Sequence, residues 1–479
     1  MPISPARAAA FEVLLRIDAT DAYASEMLHS SRFAKLSPAD HGLLTELVMG
    51  VLRWRGVIDK DIAERSTQPL AKLDPEVLTA LRLGAYQILF LDRIPTHAAV
   101  NESVELVKQA RKRSAAGMVN AVLRKIDRQS HPSNDSSHPE WLVERWRQTY
   151  GPDVVRKICD YDNAAPHQTV RISTAHSSVG TAAPSASSGQ ALGCLRDAGP
   201  TGKLIVSGSE ANRAALDGQP GAAVPTWMAA LQTNGVRLEP GSLLANAFTV
   251  TAGDITQSKA FRERRLIIQD EASQLIALLV GRGKAILDCC AAPGGKTRII
   301  AEQNPDAMVV AMDLHPHRAA LLKKLVRSDN VRVIAADARQ FPVDKKFDRV
   351  LVDAPCSGTG TLARNPEIKW RLDPEDISRL QAYQIEILAS AMNHVAQHGR
   401  LIYSTCSLEP EENEQVVAKV LAENPEFRIL DTRAELQRLK DSRELVVDEI
   451  NSLLSGHYVR TIPGIHRSDG FFAAILEKN

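Results

Sequence analysis

Ala285-Ile286-Leu287-Asp288-Cys289-Cys290-Ala291-Ala292-Pro293-Gly294-Gly295-Lys296-Thr297 is an apolar run that ends in an acid and passes into a proline–glycine turn. Such a run bounded by turn residues reads as a buried strand, and the residues after the glycines suit the start of a helix. Strand, tight turn and helix in that order let backbone N–H groups approach an anionic group at the helix N-terminus. The turn is not a P-loop, because Cys290 stands where that motif needs glycine. The G-x-G-x-x-G dinucleotide fingerprint is absent as well. Cys289 and Cys290 read as packing residues of the strand and its loop.

Outward from this stretch, strands and helices alternate from about Ile267 onward. Strand candidates are Ala285–Asp288, Met308–Met312, Val331–Ala335, Arg349–Val352, Gly399–Tyr403 and Phe471–Leu476. Helical patterns such as Arg318–Arg327 and Ile377–Val395 lie between them. Alternation with nearly continuous apolar strands predicts a mostly parallel sheet covered on both faces. Asp313 follows the second strand, roughly 20 residues beyond the loop, where an acid can take ribose hydroxyls. Asp337 follows the third and is placed to reach an adenine edge. Acids after successive strands, together with the loop, point to a nucleoside site.

Two cysteine sites complete the set: Asp353-Ala354-Pro355-Cys356-Ser357 and Ser404-Thr405-Cys406-Ser407. Each follows a strand candidate, and in an open parallel sheet ligands bind beyond the carboxyl ends of the strands. Both thiols are therefore expected to meet in that crevice. The thiolate is the nucleophilic form, so a partner that populates it is needed. A nucleoside loop beside paired thiols suggests covalent chemistry on an electrophilic ring.

A chain of 479 residues is too long for one core and predicts two or three domains. With 44% hydrophobic and 24% charged residues it has globular rather than disordered composition. Six cysteines without a C-x-x-C pair argue against a disulfide scaffold and against structural zinc, so no metal is expected. Free thiols fit a reducing cytoplasm. No apolar run reaches the roughly 18 residues of a membrane span. The stretch Met1 to Arg16 is patterned like a helix with Glu12 inside it, unlike a signal or transit peptide.

Residues 1–130 read as a helical domain. Ala10, Val13, Leu14 and Ile17 share one helix face, and Val100, Val104 and Val107 repeat the pattern. Leu81 to Phe90 is apolar nearly all round, hence a central buried helix, with Pro95 helping to stop it. Arg111, Lys112, Arg113, Arg124, Lys125 and Arg128 cluster with Asp127 as their only acid, a pattern that fits a solvated helix face as well as the phosphate neutralisation it would support. Ser130 to Pro139 is turn chemistry and reads as a linker. Residues 139–265 then form a linking subdomain that opens with Trp141, Val143 and Trp146. Inside it, a low-complexity insertion near 175–223, which includes Cys194, is too rich in Gly, Ala, Ser and Pro to pack. Residues 266–479 form the α/β domain.

The loop Cys290 to Thr297, the Asp-Ala-Pro-Cys-Ser site and the Ser-Thr-Cys-Ser site together resemble the RNA cytosine-C5 methyltransferases that use S-adenosylmethionine. In the N-terminal part, Glu46-Leu47-Val48-Met49-Gly50-Val51-Leu52-Arg53-Trp54-Arg55, Leu83-Gly84-Ala85-Tyr86-Gln87 and Val119-Asn120-Ala121-Val122-Leu123-Arg124 resemble the NusB-like RNA-binding domain. That fusion is similar to the bacterial 16S ribosomal RNA methyltransferase family (RsmB, Sun or Fmu). The likeness runs through the closing Asp469-Gly470-Phe471-Phe472-Ala473-Ala474 and departs at the 175–223 insertion.

The resemblance implies an all-α NusB-like domain, a small intervening subdomain and a Rossmann-like class I methyltransferase domain. It assigns Cys290, Ala291, Ala292, Pro293, Gly294, Gly295 and Lys296 to the methionine and ribose part of S-adenosyl-L-methionine, Asp313 to the ribose hydroxyls and Asp337 to the adenine. Cys406 becomes the nucleophile for cytosine C6, Cys356 the group that assists loss of the C5 proton and release, and Asp353 a contact to both cofactor and cytosine. The implied partner is 16S rRNA, naked or in a partly assembled small subunit, with no membrane and a monomeric enzyme. Transfer RNA is the nearest rival substrate. A catalytically silent RNA-binding or assembly factor, and a small-molecule thiol enzyme, are the rival classes; the retained cysteines and loop oppose the first, the helical domain the second.

Overall fold

The computed structural model describes residues 3–127, 137–173, 231, 235–342 and 344–479. The expected insertion near 175–223 and most of the Ser130 to Pro139 linker, with Arg128 and Cys194, lie outside the described residues.

The first part is all helical. α1 (Pro5–Ala19), α2 (Ala24–Leu28), α3 (Pro38–Arg65), α4 (Pro75–Phe90), α5 (Thr96–Gln109) and α6 (Ala116–Leu123) share one apolar core. Ala10, Val13, Leu14 and Ile17 are all buried, so the i, i+3, i+4, i+7 stripe of α1 is the face it packs. α4 is buried almost throughout, as its continuous apolar sequence requires. Its Tyr86 ring lies against Gly50 of α3, where an added Cβ would lie 2.0 Å from it. Only glycine leaves room for that crossing. Pro95 does not stop α4, which ends five residues earlier at Phe90; it is the N-cap of α5. Its fixed φ suits the entry to a helix as well as the exit from one. Arg111, Arg113, Arg124 and Lys125 are exposed, whereas Lys112 pairs with Asp74 at 3.0 Å.

α7 (Glu140–Tyr150) and α8 (Pro152–Asn163) lead into a small antiparallel sheet. Its strands are β1 (Gln168–Ile172), β2 (Arg237–Pro240), β3 (Ala247–Ala252) and β4 (Leu266–Ile268), in the order β2-β3-β1-β4. β4 pairs with β1, so this sheet reaches into the opening residues of the expected 266–479 segment. α7 also bonds the third part: the Trp146 indole N–H donates to Glu409 at 2.9 Å, and the Tyr150 hydroxyl donates to the Leu408 carbonyl.

The third part is α/β. Its described strands are β5 (Ala285–Asp288), β6 (Met308–Asp313), β7 (Val331–Ala335), β8 (Phe347–Asp353), β9 (Val395–Thr405), β10 (Phe427–Ile429), β11 (Leu454–Ser455), β12 (Tyr458–Thr461) and β13 (Phe471–Lys478). They order as β11-β12-β13-β9-β8-β5-β6-β7, with β10 beside β13. The pairs β6–β7, β5–β6, β5–β8 and β8–β9 are parallel, and every pair involving β10 to β13 is antiparallel. The sheet is therefore mixed: a parallel half like the one expected is extended by a returning C-terminal edge. Alternate residues face opposite cores, Ile286 and Leu351 one way, Leu287 and Val350 the other. β5 is flanked by β6 on one side and β8 on the other. The topological switch point, where open α/β sheets hold ligands, is thus at the carboxyl ends of β5 and β8.

Candidate active site

β8 and β9 run parallel in a register that sets Asp353 beside Ser404. Both chains leave the sheet at the same edge, and this brings the two cysteines together. The Sγ atoms of Cys356 and Cys406 lie 3.2 Å apart, and the Cys406 amide donates to Cys356 Sγ at 3.3 Å. The Cys406 thiol contact, then burial, hold the Cys356 pKa well above the ordinary thiol value. The two sulfurs are in direct contact, close enough for a proton to pass between them.

Asp353 sits beneath this pair. One oxygen accepts from Ser404 Oγ at 2.9 Å and the other from Lys296 Nζ at 2.8 Å. Lys296 comes from the first turn of the helix Gly295–Gln303 and lies over the Phe471 ring, 4.9 Å from its centroid. Burial, the largest single effect, lowers its pKa, but Asp353, Cys406 and Asp288 together raise it above the ordinary value. A fixed ammonium therefore stands beside the carboxylate, on the side of the site that holds Cys406.

The glycine loop is built as its sequence suggests. The Cys289 amide donates to the Leu351 carbonyl at 2.9 Å and the Ala291 amide to the Met312 carbonyl at 2.7 Å, so the loop is laced to the neighbouring strand ends. Gly294 adopts φ 113°, and an added Cβ would meet Val326 and Leu322 at 2.6 and 2.7 Å. Asp288 is buried, accepts from Thr297 Oγ1 at 2.7 Å, and is pushed by burial to a pKa of about 7. Burial pushes the Cys289 and Cys290 thiols up too. Asp313 ends β6 beside this loop, accepting from the His315 amide at 3.0 Å and facing Arg318 at 3.7 Å. Acids at adjacent strand ends opposite a backbone loop fit ribose hydroxyls and a cationic sulfonium group, the donor set S-adenosylmethionine requires. Asp337 is different. Its carboxylate is clamped by Arg339, with contacts of 2.7–3.1 Å, and that guanidinium lies over Tyr383. The backbone places Asp337 near Asp313 through the Ala336 amide, but its side chain is already engaged.

Sequence reading passed over one residue that ties the site together. Glu412, 0% exposed, accepts from the Ser357 amide and Gln384 Nε2, both at 2.8 Å, and from the hydroxyls of Ser357 and Ser407. Those serines directly follow Cys356 and Cys406. Asn413 adds a bond to the Ser407 carbonyl at 2.9 Å. The signal was the polar run Glu409-Pro410-Glu411-Glu412-Asn413-Glu414 immediately after the second thiol site. The fold buries two of its acids, Glu409 and Glu412.

Known proteins match this arrangement along the whole chain. The 16S rRNA methyltransferase RsmB/F family matches residues 275–477, and the NusB family matches residues 4–128. The ferredoxin-like domain of RsmF/B-like methyltransferases matches residues 138–184. A probable ribosomal RNA small subunit methyltransferase B of Bacillus subtilis is 33% identical over 98% of this chain and 98% of its own. This chain belongs to the RsmB/F methyltransferase family. The ribosomal RNA small subunit methyltransferase B of Vibrio cholerae, 30% identical, is covered over 91% of its length by 93% of the chain. Among solved structures, PH0851 shares the fold at a TM-score of 0.72 and 24% identity, with both chains fully covered. NSun6 from Pyrococcus horikoshii with SFG aligns at a TM-score of 0.51 and 17% identity, over 71% of this chain and 98% of that one. As an RsmB/F member the chain is an RNA methyltransferase with an N-terminal NusB-family domain and a Rossmann-like methyltransferase domain. Among the described residues no helix is long and apolar enough to cross a membrane.

Proposed function

We propose that this protein transfers a methyl group from S-adenosylmethionine to C5 of a cytosine in 16S rRNA, through a covalent bond between Cys406 and C6. The observation that carries the reading is the 3.2 Å thiol pair at the mouth of β8 and β9, with Lys296 and Asp353 beside it. Relatives named as small-subunit rRNA methyltransferases support the substrate. Residues 1–130 serve as the RNA-binding domain, 139–265 as the linking subdomain and 266–479 as the catalytic domain of a cytoplasmic monomer.

Bound in the loop Cys290 to Lys296, S-adenosylmethionine supplies an electrophilic methyl group. Asp313 would hold its ribose hydroxyls, with Asp337 and Arg339 toward the adenine. Cytosine C5 is a poor nucleophile within an aromatic ring. Addition of the Cys406 thiolate at C6 breaks that aromaticity and places electron density on C5. Asp353, positioned by Lys296 and Ser404, contacts the ring edge where charge develops. After methylation Cys356 assists loss of the C5 proton to solvent, and Cys406 leaves C6 as thiolate. The target base must leave its stack to reach the thiols.

The deciding experiment supplies tritiated S-adenosylmethionine with unmodified 16S rRNA and transfer RNA, followed by nucleoside analysis. 5-Methylcytidine in the ribosomal RNA alone is the expected result. Label in transfer RNA overturns the substrate, and label on another base overturns the chemistry. In the same system Asp313→Ala should weaken S-adenosylmethionine binding by about tenfold, one lost hydrogen-bonded charge being worth roughly 1.5 kcal/mol. Isothermal titration checks this, and parent-like affinity would remove Asp313 from the ribose.

A further inference from the structure

Tyr23 of the N-terminal domain is 44% exposed, yet the backbone on either side of it is fastened to the catalytic domain. The Ala22 carbonyl accepts from Arg371 Nη2 at 2.6 Å, and the Ala24 amide donates to Glu367 Oε1 at 2.9 Å. Glu367 is itself 1% exposed. Between those anchors, Lys369 and Trp370 donate to the Arg53 and Leu52 carbonyls of α3 at 2.9 and 2.6 Å. The segment 367–371 is thus a peg set into the helical domain, and Tyr23 stands at its rim.

The same peg adjoins the thiols. Ile368 packs so close to Gly358 that a Cβ there would lie 2.9 Å from it, and Gly358 is two residues from Cys356. The Gly360 amide donates to the Cys406 carbonyl at 2.9 Å. The phenol senses this neighbourhood. Burial raises its pKa first, and the Cys406, Glu367 and Cys356 groups raise it further against Arg371. An exposed aromatic ring of the helical domain is therefore held on the segment that packs against the loop of Cys356. Nothing in the hydrogen bonding of its neighbours uses the ring, because both anchors are backbone atoms.

An RNA base drawn out for reaction leaves its neighbours without stacking partners, and proteins replace that stacking with aromatic side chains. We propose that Tyr23 is a stacking residue for the unstacked nucleotide beside the target cytosine, supplied to the methyl-transfer site by the N-terminal domain. This rests on the reading of the thiol pair as an RNA-modifying site. It gives the helical domain a part at the reacting centre in addition to any contact its basic surface makes with phosphates.

Tyr23→Ala and Tyr23→Phe test it, since neither disturbs the backbone anchors. Methyl transfer is measured on whichever RNA the parent enzyme labels. In parallel, 16S rRNA transcribed with 5-iodouridine is photo-cross-linked and the modified peptide mapped. Loss of one stacked base predicts a fall in kcat/KM for RNA of about 5- to 100-fold in Tyr23→Ala. Tyr23→Phe should stay close to the parent, KM for S-adenosylmethionine should be unchanged, and a cross-link should fall on Tyr23. Parent-like kcat/KM in Tyr23→Ala overturns the inference while leaving the methyltransferase reading intact. So does equal damage in Tyr23→Phe, which would show that the hydroxyl and not the ring matters. A parent that labels no RNA fails the methyltransferase reading instead, and the cross-link at Tyr23, present or absent, then decides the stacking role alone.

Discussion

Cys406→Ala is expected to lose methyl transfer by on the order of 10⁴-fold or more while binding S-adenosylmethionine like the parent. Removing a covalent nucleophile eliminates the path itself, and losses of that size or larger follow in other covalent enzymes. Cofactor binding should survive, because the loop Cys290 to Lys296 and Asp313 are held by the ends of β5 and β6, not by the β9 loop. Cys356→Ala should behave differently. The adding thiol remains, the group that assists release is gone, and protein stays joined to RNA as a slow-migrating band in denaturing gels. The contrast between the two variants is the test. The opposite pattern, with Cys406→Ala trapping RNA and Cys356→Ala silent, would exchange the roles. One geometric difference sets the two apart: the Cys406 amide donates to Cys356 Sγ at 3.3 Å, a bond that Cys406 Sγ does not receive in return among the described residues.

The α/β half was legible because its signals are local. Each buried strand is a short apolar run, and β5 and β7 fall on the residues read for them. Parallel strands bring their carboxyl ends to one edge, so thiols far apart in sequence could be expected to meet, and Cys356 and Cys406 do. What sequence pattern does not encode is the direction of the chain after β9. The return as β13, pairing Phe472 with Thr405, depends on tertiary contacts such as the Gly470 amide on the Gly360 carbonyl at 2.7 Å. β9 itself starts at Val395, ahead of Gly399, and passes through a positive φ of 58° at His398, an irregular step that periodicity does not report. Asp337 was read from its place after a strand, which is right for the backbone. Its clamp by Arg339, two residues on, is a side-chain choice that no periodicity reports. Glu412 was missed for the same reason: acids read as solvated unless a partner is visible, and its partners are the serines beside the two thiols.

Glu412→Ala should therefore cost both stability and turnover. The parent carboxylate accepts from Ser357 N, Ser357 Oγ, Ser407 Oγ and Gln384 Nε2 in a fully buried place. Truncation strands those donors where water does not reach, and buried donors left unpaired cost about 1–3 kcal/mol each before relaxation. A net loss of about 3 kcal/mol is expected, seen as a melting temperature lower by roughly 6–12 °C. Turnover at a temperature where the variant is folded should fall about 100-fold, because the loops bearing Cys356 and Cys406 lose their shared anchor and a 1 Å drift at reacting atoms is worth that much. The loss should appear in kcat, with the affinity for S-adenosylmethionine unchanged, since Glu412 touches none of the cofactor loop. Glu412→Gln keeps one acceptor oxygen and the packing, so it should recover most of the stability and part of the rate. A folded Glu412→Ala enzyme with the parent's kcat would mean that β8 and β9 alone fix the distance between the thiols. The register supplies the neighbourhood, Asp353 beside Ser404, but both cysteines lie beyond the last paired residues. There the chain is loop, and the carboxylate bonded to both serines is what turns proximity into a fixed contact.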